Sequence, residues 1–232
     1  MKNLLKHISL YLLLGNILLF FAPAKAEVKF SGDVTGVSAY VWRGIKQFDG
    51  FAFQGTAGAS YKSLSFGVWY SSVNFGPDTP FMETDPFIEL SLPTGILSSS
   101  IGLTAYSYDF KTYNDQADYE YELFGKVGLG ASGLAFYYVP GQKSTQADLQ
   151  QSAYWIVAST GASARGIDWG LLYEFGTYSS RFLATPIKGA VGEFIVSASK
   201  TLGNALTVGW SYSIPTSSQL DNNLYVSVGF SF

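Results

Sequence analysis

The sequence contains no cysteine, and its single histidine is His7. Disulfides, thiol nucleophiles, zinc sites built on cysteine or histidine, and serine–histidine triads are therefore largely excluded. Charged residues are also scarce, at 13% of the 232 residues, against about 25% in a typical soluble domain. Aromatic residues, in contrast, reach 17%. This composition is too apolar for a disordered chain and too poor in charge for a well-solvated surface.

The first 26 residues are typical of a secretory signal peptide. Lys2 and Lys6 form a short basic region, an apolar stretch follows over 8–22, and Ala24-Lys25-Ala26 supplies small residues at a cleavage site. The apolar stretch is shorter than the roughly 20 residues of a spanning helix, which argues against an anchor. We expect cleavage after Ala26, which leaves 27–232 as one domain without histidine.

Beyond the signal peptide, apolar and polar residues alternate, and no apolar run reaches the length of a spanning helix. Leu206, Val208 and Trp210, for example, alternate with small polar residues. Alternation with a period of two, interrupted by Gly, Ser, Asn, Asp and Pro, predicts β-strands. We predict twelve strands, near 28–42, 50–61, 64–74, 85–92, 99–110, 119–130, 134–140, 152–161, 167–177, 190–200, 205–214 and 223–232. In four of them, near 99–110, 134–140, 152–161 and 190–200, the sequence leaves the two faces ambiguous.

The connections between the predicted strands alternate in length. Short ones such as 62–63 and 131–133 alternate with longer polar ones such as 75–84 and 141–151. This layout is typical of an outer-membrane barrel with tight periplasmic turns and long external loops. The predicted fold is therefore an all-β, antiparallel, up-and-down transmembrane barrel of about twelve strands. An even strand number places both termini on the periplasmic side.

The competing interpretation is a soluble periplasmic barrel with its apolar face inward. That barrel would expose a surface of Ser, Gly, Thr and Tyr with few charges, which water solvates poorly. Tyr and Trp residues near strand ends, including Tyr40 and Trp42, are typical of interfacial girdles in membrane barrels. The final strand ends on Phe232, and a terminal aromatic of this kind resembles the signal that the outer-membrane insertion machinery reads. We therefore predict a protein of the Gram-negative outer membrane that contacts lipid.

Residues 38–90 resemble a known family. They contain Ser38-Ala39-Tyr40-Val41-Trp42-Arg43-Gly44-Ile45, then Gln54-Gly55, then Gly67-Val68-Trp69-Tyr70-Ser71-Ser72-Val73-Asn74-Phe75, then Glu83-Thr84-Asp85. This order of motifs resembles the TorF-like family of outer-membrane porins, with departures at Lys46, Phe48, Phe51 and 87–90. Residues 95–232 match that family only in pattern. The resemblance implies an outer-membrane channel without a defined substrate.

Charged residues lie mostly on the polar face of the strands, which the barrel would turn towards its lumen. We predict a pore lined by Arg43, Glu83, Asp85, Glu89, Glu120, Glu122, Lys126, Asp168, Glu174 and Glu193. Charge that lines a low-dielectric passage concentrates the opposite ion, and salt weakens this effect. We therefore expect passive diffusion of small solutes or ions with a mild preference for cations.

Arg43 is predicted to end the first strand and to point into the lumen. Glu83 and Asp85 lie where the fourth strand begins, at the same predicted height. Because a guanidinium can bind a carboxylate with two parallel hydrogen bonds, we expect Arg43 to pair with one of them and to close the barrel mouth. An arginine that extends to the lipid headgroups is the alternative. Tyr40 and Trp42 have the opposite parity and are expected to face lipid or its interface.

Two other function classes compete with a channel. An outer-membrane hydrolase or protease generally uses a histidine base, which the mature chain lacks, so we predict no enzyme activity and no cofactor or metal. No basic stretch suggests nucleic acid. A non-conducting structural or adhesive barrel with a salt-bridged lumen stays open, because inward-folding loops and strand shear determine the lumen width.

Overall fold

A computed structural model describes residues 27–72, 83–107, 119–141, 152–178, 187 and 189–232. The predicted signal peptide and the ends of the predicted strands at 73–74 and 108–110 lie outside these ranges. No helix in these ranges is long and apolar enough to cross a membrane. The described strands are β1 Lys29–Val37, β2 Tyr40–Trp42, β3 Ile45–Phe48, β4 Ala52–Tyr61, β5 Leu64–Ser71, β6 Glu83–Thr94, β7 Leu97–Ser107, β8 Tyr119–Leu129, β9 Ser132–Val139, β10 Ala153–Ala164, β11 Ile167–Gly176, β12 Val191–Leu202, β13 Leu206–Pro215 and β14 Asn223–Ser231.

Twelve of these strands, β1 and β4 to β14, form a closed antiparallel barrel. From β4 to β14 each strand pairs with the next along the chain, and β1 closes the sheet by pairing with both β14 and β4. The backbones of Gly32 and Phe232 exchange two hydrogen bonds, of 3.1 and 3.0 Å, that continue the closing ladder beyond β14. The predicted twelve-stranded barrel is confirmed, and closure leaves none of its edges unpaired.

The two ends of the barrel differ in their connections. At one end, named here the turn end, tight turns join β4 to β5, β6 to β7, β8 to β9, β10 to β11, and β12 to β13. Several turn residues adopt positive φ, among them Gly130 at 58° and Gly203 at 65°, where glycine carries no steric penalty. Lys29 and Ser231 also lie at the turn end. The opposite end, the loop end, carries the longer connections, so the predicted alternation of short and long connections is confirmed.

The outer face of the barrel is apolar. On β13 and β14 the side chains predicted to face lipid are exposed, and the intervening Ser and Gly residues point inward. The structure also resolves the ambiguous strands. Ile101, Phe136, Ile156 and Phe194 are 41–50% exposed on the outer face, whereas Trp155 is 1% exposed on the inner face. An apolar outer face on a closed sheet is what strands need in order to cross a bilayer, since every backbone group is paired within the sheet.

The predicted first strand, 28–42, is wrong at its C-terminal end. Strand β1 stops at Val37, because the Ser38 hydroxyl replaces a backbone carbonyl and accepts a hydrogen bond of 3.0 Å from the Val226 amide. The chain then forms the separate hairpin β2–β3, which folds into the barrel instead of extending its wall. The core of the molecule lies around this hairpin, where Trp42 and Ile45 pack against a buried cluster of Trp155, Tyr178, Val191 and Leu220.

Candidate functional site

The loop-end half of the barrel interior is a packed, acidic site built around the inserted hairpin. Its strands contribute carboxylates that are at most 8% exposed, namely Glu83, Asp85, Glu120, Glu122 and Glu193. These side chains lie at the loop ends of β6, β8 and β12, on the face opposite the exposed apolar residues. The parity of the strands therefore placed them correctly on the inner face.

Hydrogen bonds fix both turn residues of the hairpin β2–β3, Arg43 and Gly44. Arg43 and Gly44 adopt left-handed φ values of 49° and 78°. The Tyr178 hydroxyl donates a hydrogen bond to the Arg43 carbonyl, and the Asn223 side-chain amide donates one of 3.2 Å to the Gly44 carbonyl. A Cβ at Gly44 would lie 2.9 Å from Leu220 Cδ1, so a side chain there would clash as well as strain the backbone.

The guanidinium of Arg43 forms a buried ion pair with Glu122. Arg43 Nη2 lies 2.7 Å from Glu122 Oε2, and the two side chains are 8% and 2% exposed. The Tyr106 hydroxyl donates to the other Glu122 oxygen at 2.8 Å. Although burial opposes the charge, the Glu122 carboxylate raises the pKa of Arg43 above its ordinary value, so the arginine stays charged.

The predicted pairing of Arg43 with Asp85 or Glu83 is wrong. That prediction assumed that Arg43 ends a wall strand next to the start of the fourth strand. In the structure Arg43 belongs to the inserted turn, which carries its side chain across the lumen to Glu122 on β8. The inward orientation of Arg43 was predicted correctly, but its height and its partner were not.

Aromatic rings surround the same guanidinium. Arg43 Cζ lies 4.6 Å from the ring centroid of Trp42, 5.1 Å from that of Tyr137 and 5.2 Å from that of Trp155. Distances below about 6 Å allow cation–π attraction, which strengthens where water is excluded. We name Trp42, Glu122, Tyr137 and Trp155 the arginine cage.

The predicted orientation of Tyr40 and Trp42 towards lipid is also wrong. Tyr40 is 7% exposed, and its ring packs on Trp69 of the inner face with centroids 5.7 Å apart. Burial, together with the negative charge of Glu83, raises the pKa of Tyr40 well above its ordinary value, so its hydroxyl remains neutral. Both aromatics follow the lipid-facing parity of β1, but the chain leaves the wall at Ser38 before it reaches them.

Two further carboxylates face each other across β11 and β12. Glu174 and Glu193 are direct register partners. The Ser213 hydroxyl donates to Glu193 Oε2, while Glu193 Oε1 and Glu174 Oε2 are buried without a hydrogen-bond partner among the described residues. Like charges directly opposite on one face destabilise a sheet. This part of the site therefore has unused capacity for a donor or a cation.

The turn-end half of the interior is open and lined by small polar residues, such as Ser197, Ser199, Ser211 and Ser227. Lys126 Nζ lies 3.0 Å from Glu89 Oε2, and these side chains are 41% and 27% exposed. They line a cavity of about 280 Å³ with Ser91, Ser98, Ser99 and Ser100. Asp168 is exposed beside the tight turn that follows β10, and it accepts a hydrogen bond from the Ser163 hydroxyl.

Sequence reasoning found the charged residues of the loop-end half but missed its aromatic ones. Tyr106, Tyr137 and Trp155 point inward, and Tyr178 follows β11. On the same face, the residues that precede Tyr106 and Tyr137 in their strands are small or polar, and this signal could have identified both tyrosines. Within the described residues, no group of three or more Asp, Glu, His or Cys side chains could hold a metal ion.

Comparisons with known proteins bear on the fold. No protein-family model matches the chain, and no curated protein matches it. A structure from work on the in-meso crystallization of membrane proteins has a TM-score of 0.58 and 12% identity, covering 88% of this chain and 83% of its own. This chain has the fold of an outer-membrane β-barrel. The closed sheet and its apolar outer face agree with that placement in the cell outer membrane.

Structural matches with TM-scores below 0.5 include outer-membrane proteins. A loop-deletion mutant of OmpT from Vibrio cholerae has a TM-score of 0.46 and 8% identity, covering 90% of this chain and 100% of its own. The channel DcaP of Acinetobacter baumannii has a TM-score of 0.42 and 9% identity, covering 91% of this chain and 99% of its own. Likenesses this weak identify no substrate, and the resemblance to the TorF-like family stays a prediction.

Proposed function

We propose that this barrel is a narrow channel for passive diffusion of small solutes and ions, with a preference for cations. The observation that carries the proposal is the charge imbalance at the inserted hairpin. Six inward carboxylates, Glu83, Asp85, Glu120, Glu122, Glu174 and Glu193, lie in the loop-end half, where Arg43 is the one cation buried among the described residues. Because these carboxylates outnumber that cation, a passage through this half is negative wherever they are ionised.

A negative lining in a low-dielectric passage raises the local concentration of cations and excludes anions. A barrel of twelve strands is intermediate between eight-stranded barrels, filled by their side chains, and 16-stranded porins with wide channels. The hairpin β2–β3 narrows the loop-end half further. We therefore expect small single-channel currents from the intact protein.

Ion selectivity in planar bilayers tests the charge argument. With a KCl gradient across the bilayer, the reversal potential should indicate cation preference, and this preference should weaken as the salt concentration rises. Glu120→Gln should reduce the preference, while Asp49→Asn, the same change at a hairpin side chain that is 79% exposed and screened by water, should change it little. Anion preference of the intact protein would overturn the proposal.

The register of the barrel permits a direct test of the constriction. Val37 and Ala52 are paired across β1 and β4, so residues 38–51 can be replaced by a two-residue Asn-Gly turn without changing the sheet. We expect this hairpin-less variant to conduct several-fold better than the intact protein. Equal conductance would mean that the hairpin is not the constriction.

A non-conducting structural barrel is the second candidate function. It is favoured by the close packing of Trp42 and Ile45 against the buried cluster at Trp155 and Tyr178. The two candidates differ in one comparison. A channel conducts when intact, whereas a plugged barrel conducts only after the hairpin is removed.

The remaining expectations belong to the same proposal. Membership of the TorF-like family, a periplasmic turn end, insertion guided by the strand that ends at Phe232, and the absence of enzyme activity are all consistent with a porin-like barrel. An epitope tag in the turn at 130–131 should be inaccessible on intact cells. Labelling of that tag from outside would show that the turn end faces the cell exterior.

A further inference from the structure

Arg43 occupies a site that the barrel wall builds largely without the hairpin. Glu122, Tyr137 and Trp155 belong to β8, β9 and β10, and only Trp42 of the arginine cage comes from the hairpin itself. Removal of the Arg43 side chain would therefore leave an anionic pocket with two aromatic walls facing the lumen.

The chemistry of this pocket suits a guanidinium better than an ammonium. A guanidinium is planar, so it stacks on aromatic faces while its edge donates to a carboxylate. The cage provides rings at 4.6–5.2 Å and a carboxylate oxygen at 2.7 Å from the bound group. An ammonium is more strongly hydrated and has no flat face, so it would lose more hydration free energy on entering the pocket and gain less from the rings.

The pocket also has binding capacity that Arg43 does not use. Glu174 is the register partner of Val157, two residues along β10 from Trp155, and Glu174 Oε2 accepts no hydrogen bond from any described residue. Arg43 is held at its backbone by Tyr178, which restricts how its side chain can turn. A free alkylguanidinium has five donors in a fixed plane and no such tether, so it keeps donors for a further acceptor after it binds Glu122.

We propose that the arginine cage is a binding site for free guanidinium-bearing solutes, which Arg43 occupies as an internal ligand. This inference rests on the proposed channel, because it names a class of solute that the constriction recognises. A tethered side chain competes at an effective concentration of about millimolar or more, so a solute must reach comparable concentrations to displace Arg43.

Chemical rescue of Arg43→Ala tests the site. The purified variant, refolded in detergent, should unfold at a lower temperature than the intact protein, and ethylguanidinium at millimolar concentrations should restore part of the loss. Ethylammonium has the positive charge but no planar group, and ethylurea has a planar group but no charge. We expect ethylguanidinium to act at a concentration at least ten-fold lower than either control compound.

The double variant Arg43→Ala/Glu122→Gln should lose the rescue, because the carboxylate that holds the guanidinium is gone. Equal rescue by ethylammonium would overturn the inference and leave only a general cation site. A folded Arg43→Ala barrel that shows no rescue would overturn it as well.

The hairpin-less variant provides a second route if Arg43→Ala does not fold. It lacks both Arg43 and Trp42 but keeps Glu122, Tyr137 and Trp155, so ethylguanidinium should change its tryptophan fluorescence more than ethylammonium does. An identical response to both compounds would contradict the proposal. Neither measurement involves a current, so absence of conductance would refute the channel alone, and absence of rescue would refute the site alone.

Discussion

The loop-end and turn-end halves of the interior are built on the same strands with the same alternation, yet one is a core and the other is a surface. On β8, Glu122 is 1% exposed, whereas Lys126, four residues further along the same face, has a side chain that is 41% exposed. On β13, Ser213 is fully buried, whereas Ser211 is half-buried. The difference is the hairpin β2–β3, which packs into the loop-end half.

This comparison shows that polar side chains inside a barrel acquire their energetic roles from what fills the barrel. Charges that remain in water interact weakly, because water screens them. The same charges beside a packed hairpin lose their water, so an unpaired charge there is costly. The two halves should therefore respond very differently to the same kind of substitution.

Removal of the buried cation should have the largest effect. Arg43→Ala leaves Glu122 buried without its partner, which should lower the free energy of unfolding by about 3–5 kcal/mol. Urea titration of the barrel in lipid vesicles would measure this loss. Lys126→Ala is the matched variant in the turn-end half. Equal losses from the two variants would remove the distinction between the halves.

A charge on the outer face should have the next largest effect. Val226→Arg, near the middle of β14, should cost about 2–4 kcal/mol in lipid vesicles, because the guanidinium would enter the hydrocarbon. Ser227→Arg is the neighbouring control on the inner face of the open half and should cost much less. A larger cost for Ser227→Arg than for Val226→Arg would mean that Ser227, and not Val226, faces the lipid.

A smaller effect should separate two serines of the inner face. Ser213→Val removes the donor to Glu193 Oε2, and the second oxygen of that buried carboxylate already has no partner among the described residues. The loss should be about 1–3 kcal/mol. Ser227→Val should stay within about 0.5 kcal/mol. Similar values for the two serines in urea titrations would indicate that the loop-end half is not packed.

The smallest effect concerns the ion pair of the turn-end half. A double-mutant cycle with Lys126→Ala and Glu89→Ala should give a coupling energy of about 0–1 kcal/mol that disappears at high salt. A cycle with Arg43→Ala and Glu122→Gln should give a larger coupling that salt changes little. A salt-insensitive coupling between Lys126 and Glu89 would show that their cavity excludes water.

Local patterns in the sequence were sufficient to predict the wall of the barrel. Strands β13 and β14 were predicted with nearly correct bounds and correct faces, because a sheet with one apolar environment requires strict alternation. In β10 the same rule was ambiguous, since Trp155 and Ile156 are both apolar while only Ile156 faces outward. An aromatic residue that packs on a hairpin looks the same in sequence as one that faces lipid.

Sequence alone determined the strands, their turns, the apolar outer face and the inward carboxylates, because each of these depends on residues within one strand or its neighbour. The tertiary structure decided where the chain leaves the wall and what Arg43 binds. Ser38 ends β1 through a contact with Val226, 188 residues away, and Arg43 reaches Glu122 across 79 residues. Alternation carries no information about such distant partners, since it records which face a residue occupies and not which segment fills the space beside it.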